Sequence, residues 1–187
     1  MEFIRHPKIL TTDSTALLII DIQEKILKVM HNPQMVIDNT LKLIKGFKIL
    51  NLPIYFTEQY PKGLGPTTEV IANELEGLSP IQKMTFSCSG AENLFKELKD
   101  KKITRVVAAG IESHVCVQQT VLDLLANNFQ VNVCADAVSS RKEIDYQTAL
   151  SRMRTHGAEI TTAESVLFEL LNLCGTDVFR AVSKIVK

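Results

Sequence analysis

A doubly wound α/β sandwich, three layers with a mostly parallel central sheet, is the fold class this sequence predicts, on three observations. Apolar, β-rich runs recur along the 187 residues, segments of helical period separate them, and the runs are almost continuously apolar rather than alternating. A strand buried on one face alternates polar with apolar residues. Parallel strands joined by helical crossovers are buried on both faces and lose that alternation. Right-handed crossovers then place helices on both sides of the sheet.

The first run, Ala16-Leu-Leu-Ile-Ile-Asp21, is apolar up to a terminal carboxylate. Apolar residues at Met35, Val36, Leu43, Ile44 and Phe47 predict a helix from about Pro33 to Asn51, followed by a strand Pro53–Thr57. The stretch Tyr60 to Pro80, punctuated by Pro61, Gly63, Gly65, Pro66 and Gly77, reads as the longest irregular loop, and loops of that length are often functional. A helix Ala91–Lys99 leads into the strand Arg105–Gly110, and a helix Val115–Asn128 into the strand Gln130–Asp136. A helix Glu143–Thr155, a short strand Ala158–Thr161 and a helix Ala163–Leu171 complete the pattern. With no repeat, low-complexity tract or linker, residues 1–187 read as a single domain.

Composition narrows the function classes. Hydrophobic residues make up 45% and charged residues 22%, and 21 basic residues balance 21 acidic ones, so no global field favours nucleic acid or an anionic membrane. The amino-terminal MEFIRHPKIL lacks the apolar core of a secretion signal, and no run approaches the roughly 18 apolar residues of a spanning helix. The expectation is a soluble cytoplasmic protein with no membrane partner. Cysteines at 88, 116, 134 and 174 show no CxxC pair and no zinc spacing, which favours free thiols. Cys134 in a strand and Cys174 beside Gly175 read as packing residues, and Cys88 as structural.

In doubly wound sheets, ligands bind beyond the carboxyl ends of the strands. Asp21 ends the first strand, Glu58, Gln59 and Tyr60 follow the second, Gly110 to Cys116 follow the next, and Asp136 to Ser140 the one after. A cysteine near the first turn of the helix after Gly110 would feel the positive end of its dipole, which favours a thiolate, and backbone amides there could receive an oxyanion.

Leu17-Leu-Ile-Ile-Asp-Ile-Gln23, Lys83-Met-Thr-Phe-Ser87 and Gly110-Ile-Glu-Ser-His-Val-Cys116 resemble the three signature segments of the isochorismatase-like, or cysteine hydrolase, superfamily. Thr57-Glu-Gln-Tyr-Pro-Lys-Gly-Leu-Gly-Pro66 and Asp136-Ala-Val-Ser-Ser-Arg141 resemble its isochorismatase domain-containing branch. The resemblance implies a Cys116 nucleophile, Asp21 as base and Lys83 as stabiliser of carboxylate and thiolate. It also implies a cis peptide at Ile111–Glu112, with the Glu112 and Cys116 amides as oxyanion hole, and homo-oligomers, dimeric or larger.

Metal-dependent relatives such as nicotinamidases carry an Asp-x-His and a further histidine after the second strand. Here that stretch is Thr57-Glu-Gln-Tyr60, with no histidine between His31 and His114. Glu58 alone makes no metal site, so the expectation is hydrolysis without metal or cofactor. Gln23, Gln59, Tyr60 and Phe86 are candidate pocket walls for a small amide, ester or enol-ether-like substrate. His114 reads as a rim residue, His156 as a helix end, and Asp136 and Arg141 as loop-ordering partners. Two alternatives remain: a non-enzymatic, homo-oligomeric binding protein using the apolar residues Val178, Phe179, Val182, Ile185 and Val186, and a ribonuclease, an activity attached by name to some relatives.

Overall fold

Among the described residues six parallel strands form one sheet in the order β3-β2-β1-β4-β5-β6. They are β1 (Thr15–Ile20), β2 (Ile54–Gln59), β3 (Ile81–Lys83), β4 (Arg105–Ile111), β5 (Gln130–Ser139) and β6 (Glu159–Thr161). The computed structural model describes residues 4–187; of the amino-terminal stretch read for a secretion signal, Met1–Phe3 lie outside the described residues. The helices are α1 (Glu24–Leu27), α2 (Pro33–Ile49), α3 (Pro61–Leu64), α4 (Glu69–Glu74), α5 (Leu94–Asp100), α6 (Gln118–Ala126), α7 (Glu143–Thr155), α8 (Ala163–Leu171) and α9 (Asp177–Val186).

The sheet is covered on both faces, which is why its strands read as unbroken apolar runs. Leu17 and Ile19 of β1 join Val36, Phe47, Val166 and Val182 in one core, under α2, α8 and α9. Ala16, Leu18 and Ile20 point the other way and pack with Leu98, Val121 and Met153 of α5, α6 and α7. Each of these side chains larger than alanine contributes roughly 1.5–3 kcal/mol on burial.

Several elements depart from the pattern. The stretch Tyr60–Pro80 is not wholly irregular: it holds α3 and α4, short helices whose flanking glycines and prolines mask them. The edge strand β3 is too short to show a period. The strand expected to end at Asp136 continues to Ser139 across a register shift against β4, so Asp136 lies inside β5 and accepts a hydrogen bond from the Ala163 amide at the start of α8. Cys174 is exposed, not packed. In α9 only Val182 is fully buried and Val186 packs against the core, whereas Val178 stays exposed. Two residues of that apolar stripe, Val182 and Val186, therefore serve the chain's own core. No helix among the described residues is long and apolar enough to cross a membrane.

The strand order reverses at β1. The chain steps outward from β1 to β2 and β3, then returns so that β4 lies on the other side of β1. Beyond the carboxyl ends of β1 and β4 the connections diverge to opposite faces, which opens a crevice there. Gly110 makes the close approach possible. Its φ is +128°, and a Cβ there would stand 2.1 Å from the Ile20 carbonyl oxygen, so only glycine fits between β4 and the end of β1.

Candidate active site

Asp21 is the first residue past β1. It adopts a left-handed φ of 52°, a conformation aspartate tolerates better than most residues, and is 1% exposed. Its carboxylate has two partners: the Thr57 hydroxyl of β2 donates to Oδ1 at 2.7 Å, and Lys83 Nζ donates to Oδ2 at 2.6 Å. Lys83 ends β3, and its side chain is fully buried. Nζ also donates to the carbonyls of Thr85 and Phe86 at 3.1 and 3.0 Å, so the segment after β3 folds back over the ammonium. The sheet order thus delivers carboxylate, hydroxyl and ammonium from three adjacent strands.

Cys116 comes from the other side of the crevice. The peptide between Ile111 and Glu112 is cis, and the chain then makes a π-helical turn, Ser113–Val117, before α6. The Glu112 carbonyl accepts from the Val115 and Val117 amides at 3.0 and 3.2 Å, which anchors that turn. Single π turns in otherwise α-helical segments are frequent at functional sites. The Cys116 thiol is nearly buried and donates to Gln59 Oε1 at 3.1 Å.

The segment carrying Lys83's carbonyl partners is clamped to the same helix. The Cys88 amide donates to Thr120 Oγ1 at 2.9 Å, and the Ser87 and Ser89 hydroxyls both bond Asp123. Thr120 stands one helical turn beyond Cys116, so the ammonium and the thiol are held against one rigid element. Cys88 is wholly buried beside Thr57, in a structural position.

The electrostatics correct one expectation. The thiol was expected to be drawn toward the thiolate by Lys83 and the helix start. Burial instead pushes the Cys116 thiol well above its ordinary value, the Asp21 charge adds to the rise, and Lys83 only opposes it. The physical reason lies in the geometry: the Lys83 charge is already balanced by Asp21, and its other protons are held by two carbonyls. Burial and the neighbouring carboxylate together favour the protonated thiol.

A cavity of about 300 Å³ opens at the thiol. Gln59, Tyr60, Phe86, Glu112 and Cys116 line it, and so do Ile26, Leu64 and Val115, which sequence reasoning missed. Nothing in their local pattern marks Ile26 and Leu64, because short helices outside the strand-end segments bring them in. Gln23 is fully buried and is not part of the cavity wall. Its amide group brackets Gln59, accepting from the Gln59 amide at 2.8 Å and donating to the Gln59 carbonyl at 3.0 Å and the Gly65 carbonyl at 2.6 Å. Gln23 therefore ties the loop after β2 in place instead of facing a ligand. A larger groove of about 590 Å³, lined by residues such as Pro53, Leu78 and Lys101, lies at the amino ends of β2 and β3, far from this chemistry.

The polar surroundings are ordered by pairs. Arg141 Nε donates to Glu112 Oε2 at 2.9 Å, and His114 Nδ1 lies 2.9 Å from the Ser140 hydroxyl. Glu58 Oε1 accepts from the amide and the hydroxyl of Thr67 at 2.7 and 2.8 Å. That carboxylate is engaged in holding the loop, and the described residues contain no group of three or more His, Cys, Asp or Glu side chains able to hold a metal ion.

Known proteins share this arrangement of chain. The family model of the Isochorismatase domain matches residues 15–165. Isochorismatase domain-containing protein 2 of Danio rerio is 37% identical over 178 residues, which is 94% of this chain and 88% of that protein. The MAR1 ribonuclease of Caenorhabditis elegans superimposes with a TM-score of 0.87 at 36% identity, over 95% of this chain and 91% of that one. The YcaC gene product of Escherichia coli, described as an octameric hydrolase of unknown specificity, superimposes with a TM-score of 0.88 at 25% identity, over 94% of this chain and 88% of that one. Sequence, strand order and overall superposition agree, and the chain belongs to the isochorismatase family.

Proposed function

We propose that this chain, acting as a single isochorismatase-like domain over residues 1–187, is a cysteine hydrolase that uses no metal and cleaves a small amide, ester or enol-ether-like substrate. The observation that carries this reading is the buried Asp21–Lys83 pair at 2.6 Å, set at the strand-order reversal beside the Cys116 thiol. Asp21 takes the thiol proton as the sulfur attacks the electrophilic carbon, and the oxyanion is received by the Glu112 and Cys116 amides. The proton passes from Asp21 to the leaving group. Water then adds to the covalent adduct, Asp21 accepts its proton, and the thiol is restored as product leaves. Lys83 balances the carboxylate and the transient sulfur charge throughout. The engagement of Glu58 by Thr67, and the lack of a histidine in the segment just after β2 (the sequence has none between His31 and His114), support hydrolysis without a metal.

Turnover of a panel of small amides and esters tests the reading. Cys116→Ala and Cys116→Ser should both abolish it, and a thiol reagent should modify Cys116 far faster than Cys134. Turnover that survives either substitution, or equal labelling of the two thiols, overturns it.

A second reading, ribonuclease activity, is favoured by the name of the Caenorhabditis elegans neighbour. Balanced charge and a largely apolar cavity speak for a small molecule instead. RNA cleavage that is lost with Cys116→Ala would support the ribonuclease; cleavage unchanged by it would trace to a contaminant. Assembly as a homo-oligomer, a dimer or larger, is part of the proposal, supported by the octameric Escherichia coli relative. A panel without any Cys116-dependent turnover would favour a non-enzymatic, partner-binding role.

A further inference from the structure

The charge layout around the cavity narrows the substrate class of the proposed hydrolase, and the argument rests on that proposal. Among the described residues no lysine, arginine or histidine lines the cavity. The cations on neighbouring elements are otherwise engaged. Lys83 is held by Asp21 and two carbonyls, with its side chain fully buried. Arg141 points its Nε at Glu112 while most of its side chain stays in solvent. Lys25 of α1 donates to the Gly63 carbonyl at 2.9 Å, Lys62 of α3 is exposed, and His114 is paired with Ser140.

The acid, by contrast, is in the wall: Glu112 lines the cavity and is only 6% exposed. A substrate carboxylate entering here would lose its water, meet Ile26, Leu64, Phe86 and Val115, and find no cation to replace that water. The one ionisable acid in that wall, Glu112, is held by Arg141, so neither partner offers the substrate a counter-charge.

From this layout we infer that the site selects uncharged substrates, small neutral acyl compounds whose apolar portion rests on Ile26, Leu64, Phe86 and Val115, and rejects analogues that carry a carboxylate.

Alkylation of the wild-type protein by iodoacetamide and iodoacetate tests this directly. The two reagents react alike: the sulfur displaces iodide and an S–C bond forms, but only one reagent is an anion. Cys174, exposed in the same molecule, supplies the intrinsic ratio of the two rates. Peptide mass spectrometry should find the amide-to-acid rate ratio at Cys116 at least about tenfold above that at Cys174. Glu112→Gln, which removes the wall charge and releases Arg141, should narrow that excess. Equal ratios at the two cysteines would overturn charge selection while leaving the nucleophile intact. Failure of Cys116 to react with either reagent would sink the nucleophile reading and this inference with it.

Discussion

Lys83→Met tests the site's central ion pair through stability alone, with no substrate required. The variant keeps the length of the side chain and deletes its charge. The two partners have side chains 0% and 2% exposed and stand 2.6 Å apart, so solvent cannot take over the ammonium's role. Asp21 would remain buried with one hydroxyl donor, Thr57, and no counter-charge. The Thr85 and Phe86 carbonyls would lose a donor as well. Removing one member of a buried pair costs about 3–5 kcal/mol. For a chain of 187 residues each kcal/mol moves Tm by about 2–4 °C, so Tm should fall by roughly 6–20 °C. Asp21→Asn combined with Lys83→Met removes both charges and should recover at least about half of the loss. Chemical denaturation of the four proteins in the cycle measures both quantities. A penalty below about 1 kcal/mol, the worth of an exposed pair, or additivity within about 0.5 kcal/mol, would refute the account of a buried and coupled site.

Thr57→Val deletes the donor on Asp21 Oδ1 and should cost about 1.5–3 kcal/mol in unfolding free energy, while slowing iodoacetamide modification of Cys116; Thr57→Ser should restore both. Gly110→Ala should leave little soluble protein, since its Cβ meets the Ile20 carbonyl oxygen at 2.1 Å and its φ of +128° suits glycine alone; normal yield and an unchanged Tm would contradict the packing described. Burial pushes the Cys88 thiol from 9.0 up to about 11. The folded protein therefore keeps a proton that the unfolded chain gives up above pH 9, and stability should fall as pH rises from about 9 to 11, by about 1.4 kcal/mol per unit from this group. Denaturation curves across that range should flatten in Cys88→Ala, and an unchanged slope would contradict the buried thiol.

What the sequence disclosed follows from how local each signal is. β1 was plain because burial on both faces makes every residue of Ala16–Ile20 apolar, and the carboxylate of Asp21 marks where the strand leaves the sheet. Lys83 was reached only through family resemblance: its strand is three residues long, includes an exposed Gln82, and shows no period. The strand was expected to end at Asp136 because a carboxylate closes its apolar run, yet the ladder resumes at Val138 opposite Gly110. The bracket of Gln23 on Gln59, and the arrival of Ile26 and Leu64 at the cavity, depend on tertiary folding of α1 and α3 and leave no trace in periodicity. The raised thiol was hidden for a related reason. Lys83 looks like a free cation in one dimension and is already neutralised in three.

The strand order also governs when the site comes into being during synthesis. β1, β2 and β3 leave the ribosome first and can pair in sequence, but one edge of β1 waits for β4. Asp21 and Lys83 can thus meet early, whereas Cys116 joins them only after β4 docks beside β1 and closes a long loop. Pairings of that kind are entropically slow. The joining of β1 to β4 is therefore the event that unites the two halves of the sheet, β3-β2-β1 and β4-β5-β6, and brings Cys116 to the Asp21–Lys83 pair.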